Sequence, residues 1–200
     1  MSPTTISWPH STPRWPPAST TFRHTRWSSR KAPRWRRWAL EALVFVALFA
    51  AFQAWQTRNA PRGPAPNFAG QLVDGSQFDL ADWRAQHPGK AGLIYFWAGW
   101  CGICKTTAGT VSNINEDWPV ITVAMQSGPA DKVAETMRQQ GYTWATLADP
   151  MAAVFLQYGT RVVPAFIIVD PAGNVRAVSI GYTSEIGLRL RLWWASLSAA

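Results

Sequence analysis

The sequence is poor in the residues from which most sites are built. Its 200 residues include two cysteines, three histidines and only 15% charged side chains. Two cysteines exclude a disulfide scaffold. A closed zinc site needs four ligands, and the chain beyond position 56 offers a single histidine, His87, in a loop-like stretch. The unbroken apolar run at residues 42–52 is short, and alone it could be a buried helix or a signal-peptide core as readily as a membrane span. Acidic residues are missing from positions 1–37, which hold eight of the nineteen basic residues. The remaining eleven basic residues balance all eleven acidic ones, so the net charge of +8 belongs to a tail. A basic tail on a neutral domain is not the footprint of a nucleic-acid-binding face, and no nucleic-acid partner is expected.

What is present falls into four segments. Residues 1–37 are rich in Pro, Ser, Thr, Arg and Trp without helical or strand periodicity, which reads as a disordered, basic, cytoplasmic tail. It is either a solvated extension or a basic arm lying on anionic lipid. Residues 38–55, WALEALVFVALFAAFQAW, read as a transmembrane anchor. Trp38 and Trp55 bracket the apolar run like interface residues, and eighteen helical residues reach about 27 Å. No small-residue cleavage site follows, so the segment is expected to stay uncleaved. Five positive charges at 30–37 precede it, against Arg58 and Arg62 just after. The positive-inside rule then leaves the N-terminus in the cytoplasm and exports the rest, in a Gram-negative cell from the inner membrane into the oxidising periplasm. Residues 56–67 hold three prolines and read as an extended tether.

From 68 to 197 strand and helix patterns alternate. LVDGSQFDL reads as an N-terminal hairpin turning at Asp74-Gly75. GLIYFWA and PVITVAMQ are continuous apolar runs, as strands buried on both faces should be. Helices are expected at 101–117, 130–140, around AAVFLQYG and at 185–197, with a short strand in WATLADP. PAFIIVD and NVRAVSIG close as strands joined by a turn at 171–174. The order implies an α/β fold with a central mixed sheet flanked by helices.

Cys101 and Cys104 lie in WAGWCGICK. As a staple they close a loop too short to contribute more than about 2 kcal/mol. As two soft thiolates they could hold Cu(I). As a redox pair they explain more. Cys101 falls where a buried strand passes into a helix, and there the helix dipole and free N–H groups favour thiolate. Cys104 lies one turn on, on the same face, and should be the less exposed. Cys101 would attack and Cys104 resolve, through a mixed disulfide with the substrate.

YFWAGWCGICK resembles the active-site segment of the thioredoxin superfamily, in its membrane-anchored TlpA/ResA/CcmG branch. Arg161-Val162-Val163-Pro164-Ala165-Phe166 resembles that family's cis-proline loop. The resemblance implies a thioredoxin-like fold in which Pro164 faces the cysteines and the Val163 backbone pairs with the substrate chain. Trp100, Gly102 and Ile103 would complete the substrate surface. The 59 residues between Cys104 and Pro164 fit the extra β-α insert of this branch. RRWALEA, VAMQSGPADKVAETMRQQ and YTSEIGLRLRLWWA further resemble the suppressor-of-copper-sensitivity D subgroup, which implies a link to copper tolerance.

Many thioredoxins carry a buried acid six residues before the first cysteine. Here that position is Tyr95, with Asp149 or an insert residue as a conceivable substitute. Lys105 is expected in solvent, Trp97 in the core, Trp100 partly exposed, and Trp193 and Trp194 in the packing of the last helix. The expected function is a membrane-tethered periplasmic thiol-disulfide oxidoreductase that reduces exported proteins. It would need no cofactor and no metal, and a membrane electron-transfer protein of the DsbD type would recharge it. Two other readings stand beside it: an apocytochrome c thiol reductase, and a Cu(I)-binding chaperone that lacks the distal histidine such proteins use.

Overall fold

A computed structural model describes residues 34–57 and 63–197. The tail assigned to 1–37 lies outside the described residues except for its last four. Helix α1 runs Arg34–Thr57 and covers the segment read as an anchor. Among the described residues, no helix is long and apolar enough to cross a membrane.

The chain enters the main sheet at β1, Gly63–Pro64, inside the segment read as tether. The hairpin β2 (Ala69–Gln71) and β3 (Gln77–Asp79) follows, with Gly75 at φ +89° supplying the left-handed turn position. A short helix α2 (Leu80–Ala85) starts where the Asp79 carboxylate accepts the Ala81 and Asp82 N–H groups. Then come β4 (Gly92–Trp97), α3 (Gly102–Asp117), β5 (Val120–Met125), α4 (Ala130–Gln140) and β6 (Thr146–Asp149). The chain ends through α5 (Ala153–Gln157), β7 (Ala165–Val169), β8 (Asn174–Ile180) and α6 (Glu185–Leu197). This is the thioredoxin-like α/β fold.

The six-stranded sheet has the order β1-β8-β7-β4-β5-β6. β4, β5 and β6 are parallel, while β7 runs antiparallel to β4, and β8 to β7. Every residue of β4, β5 and β7 is buried, which is why these runs show no polar alternation. The C-terminal end of β4 and the N-terminal end of α3 therefore meet at one end of the sheet, beside the start of β7. That junction carries the cysteines.

Inside the core, a chain of hydroxyls crosses the sheet. The Trp97 indole N–H donates to Thr122 Oγ1 at 3.2 Å, Thr122 and Thr146 hydroxyls share a 2.8 Å bond, and Thr146 donates to the Trp144 carbonyl. Trp97, Tyr142 and Trp144 pack as a cluster, with Tyr142 and Trp144 stacked at 4.2 Å.

Candidate active site

Cys101 is the N-cap of α3, with extended backbone angles, and it is joined to Cys104 by a disulfide. The Cys104 amide N–H points at Cys101 Sγ from 3.1 Å. This N–H lies at the positive end of a sixteen-residue helix, a position that favours negative charge on a group placed there. Cys101 and Cys104 are 7% and 3% exposed, so the expected order holds but both sulfurs are nearly covered. Gly102, Ile103 and Lys105 are exposed on the outer side of the first turn.

The cis peptide bond expected before Pro164 is present between Val163 and Pro164. It brings the Val163 carbonyl to 3.9 Å from Cys101 Sγ. The Pro164 carbonyl faces the other way and accepts the Gly181 N–H at 2.8 Å, which ties the loop to the end of β8. The structure thus brings Cys101, Cys104, Val163 and Pro164 together. Trp100 is 65% exposed beside them, and with Ile103 and Val162 it surrounds the disulfide with exposed apolar side chains.

Tyr95 is fully buried under α3. Its hydroxyl lies 3.1 Å from Thr107 Oγ1 and donates weakly, at 3.4 Å, to the Cys104 carbonyl. Burial pushes the phenol above its ordinary range, against the opposing hydrogen bond from Thr107. It stays neutral at physiological pH and cannot act as the carboxylate base would. Asp149 does not take that place either. Its two oxygens accept the Ala153 and Phe155 N–H groups at 2.8 and 3.0 Å, so it holds the start of α5. Neither Tyr95 nor Asp149 therefore stands as a carboxylate base beside Cys104.

One supporting element went unread in the sequence. The loop after β5 braces the segment before Cys101. The Gly99 N–H donates to Ser127 Oγ at 2.9 Å, and the Trp100 indole N–H donates to the Gln126 carbonyl at 3.1 Å. Gln126 has φ +45°, a left-handed conformation unusual for a residue with a side chain. The signal available was position: this loop follows the carboxyl end of the strand next to β4, where α/β sites gather. Among the described residues, no group of three or more His, Cys, Asp or Glu side chains could hold a metal ion.

The geometry agrees with what the chain resembles. The AhpC/TSA family model matches residues 61–178. A thioredoxin-like protein of Haemophilus influenzae is 29% identical over 126 residues, 62% of this chain and 73% of that one. The thiol-disulfide oxidoreductase ResA of Geobacillus thermodenitrificans is 24% identical over 160 residues, 76% of this chain and 88% of that one. Among solved structures, MTB dsbF in its mixed oxidised and reduced forms superposes with a TM-score of 0.55 at 27% identity, covering 64% of this chain and 94% of that one.

Proposed function

We propose that this chain, which belongs to the AhpC/TSA family and is a thiol-disulfide oxidoreductase, reduces disulfides of exported proteins while tethered to the bacterial inner membrane. The observation that carries the site assignment is Cys101 at the N-cap of α3, facing the cis Val163–Pro164 loop, with Cys104 bonded behind it. Cys101 is the nucleophile. Its thiolate attacks a substrate disulfide, one substrate sulfur leaves as thiolate, and a mixed disulfide forms. Cys104 then attacks Cys101 Sγ, releases the second substrate thiolate and restores the internal disulfide. Val163 offers its backbone to the substrate chain, and Trp100, Gly102, Ile103 and Pro164 shape the surface that chain meets.

Recharging needs two electrons per cycle from a dithiol donor, and we assign that role to a membrane electron-transfer protein of the DsbD type. The membrane tether is supported by the apolar run at 42–52, its flanking Trp38 and Trp55, and the basic residues before it. The link to copper tolerance is supported by the subgroup likeness of the anchor, insert and C-terminal segments. Cys104→Ser should trap substrates on Cys101 as mixed disulfides that a reductant releases, while Cys101→Ser should trap none. Copper handling that survives the loss of Cys104, with no trapped partner, would reject the redox role.

A further inference from the structure

Helix α6 carries two apolar stripes. Leu188, Leu192 and Ala195 are buried against the sheet. Ile186, Leu190, Trp193 and Leu197 form a second stripe at i, i+4, i+7 and i+11 on the outer face, each between 54% and 73% exposed. Trp194 is exposed beside them, so the two tryptophans lie outward and not in the core packing expected of them. The only acid of the helix, Glu185, is taken up by Asn113 and Arg189. Arg191 is exposed, and Lys90 precedes Ala91, whose N–H reaches Ser196 of the helix; of the exposed acids at the end of α3, Asp117 is paired with Arg189 and Glu116 adjoins it in sequence.

The position of this stripe says what it meets. Glu185 contacts Asn113, and Arg189 contacts Asp117, so α6 runs alongside the last turn of α3 and continues past its end. Ser196 Oγ accepts the N–H of Ala91, just before β4. The C-terminal half of α6 therefore lies at the end of the sheet opposite the disulfide, a separation set by the sixteen residues of α3, about 24 Å. The chain also enters the domain at this end. Gly63 and Pro64 pair with Val175 and Asn174 of β8, and Val175 pairs with Val169, which pairs with Gly92. The pole that receives the chain from the segment read as anchor is the pole that exposes Leu190, Trp193 and Leu197.

We infer that the outer face of α6 docks in the headgroup region of a bilayer containing anionic lipid, which holds the domain with its disulfide end turned away from the membrane. The inference rests on the proposed tether. Trp and Leu at an interface with Arg and Lys beside them is the composition that suits this depth.

The test uses the full chain with the disulfide oxidised, so that an introduced cysteine is its sole free thiol. Leu190→Cys and Leu197→Cys are each labelled with an environment-sensitive fluorophore, and Asp131→Cys at the disulfide end of α4 is the control. The proteins are reconstituted in vesicles of phosphatidylcholine and phosphatidylglycerol. The two α6 probes should shift to the blue, and brominated lipid should quench them, while the control does neither. Flotation after carbonate extraction reports the tether separately. A chain that floats while its α6 probes match the control overturns the docking and leaves the tether standing. A chain that carbonate extracts, but whose α6 probes still shift on adding vesicles, overturns the tether and upholds the docking. A shift in detergent that grows with protein concentration assigns the stripe to a second copy and overturns the inference.

Discussion

Replacing Thr122 with Val tests how the core supports the active-site segment. Thr122 is fully buried and its hydroxyl stands in the middle of the chain from Trp97 to the Trp144 carbonyl. Valine keeps the shape and the strand preference but removes the acceptor. The Trp97 N–H is left buried without a partner, which costs about 1–3 kcal/mol. Thr146 keeps its bond to Trp144, so it adds little. The added methyl returns up to about 0.8 kcal/mol. The net loss should be about 1.5 kcal/mol, a fall of the urea midpoint of roughly 1 M at an unchanged slope. Urea unfolding of residues 61–200, followed by tryptophan fluorescence, reads this. In a Trp97→Phe background there is no indole N–H to strand, and Thr122→Val should become neutral or mildly stabilising. Equal costs in the two backgrounds, within about 0.5 kcal/mol, would refute the hydroxyl chain as the cause.

Three further outcomes are expected. Tyr95→Phe should leave the pH dependence of Cys101 alkylation unchanged between about pH 5 and about pH 9, because the Tyr95 phenol is held above its ordinary value near 10; the disappearance of an ionisation in that window would show that Tyr95 titrates with the site. Asp170 has a buried carboxylate. Burial raises its pKa, but the Asn174 N–H at 2.8 Å and Arg176 at 2.6 Å outweigh that and lower it overall. Its stabilisation is therefore present above about pH 4 and fades as pH falls through its lowered value. Asp170→Asn should cost about 2 kcal/mol at neutral pH and less in acid, read by unfolding at several pH values; a cost independent of pH would contradict the assignment. Gly92→Ala places a Cβ 2.6 Å from the Trp83 ring at the end of the sheet opposite the disulfide. It should destabilise by about 1–3 kcal/mol without changing thiol exchange rates, measured by unfolding and by peptide disulfide reduction.

Much of the domain was legible because its signals are local. The buried strands at 92–97 and 120–125 read as unbroken apolar runs, and Gly141 at φ +71° ends α4 where the sequence predicts. The helix at 185–197 also matches its expected bounds. The cysteine pair and the loop at 161–166 were legible as chemistry, through spacing and resemblance. The short strand Gly63–Pro64 was not, because its two residues look like linker and are made a strand by β8. The brace from Gln126 and Ser127 was not, because it depends on a loop 26–28 residues away in sequence. Nor was the exposure of Trp193. A helix with apolar residues on both sides gives no sequence signal for which stripe faces the sheet.

The reduction potential of the Cys101–Cys104 couple tests the central claim most directly. Residues 61–200 would be equilibrated against dithiothreitol and glutathione buffers, and the thiols counted by mass after alkylation. A value near that of thioredoxin, about −270 mV, is predicted for a reductase recharged from the membrane. A value nearer about −120 mV would make the couple a strong oxidant and contradict the direction of electron flow proposed for it.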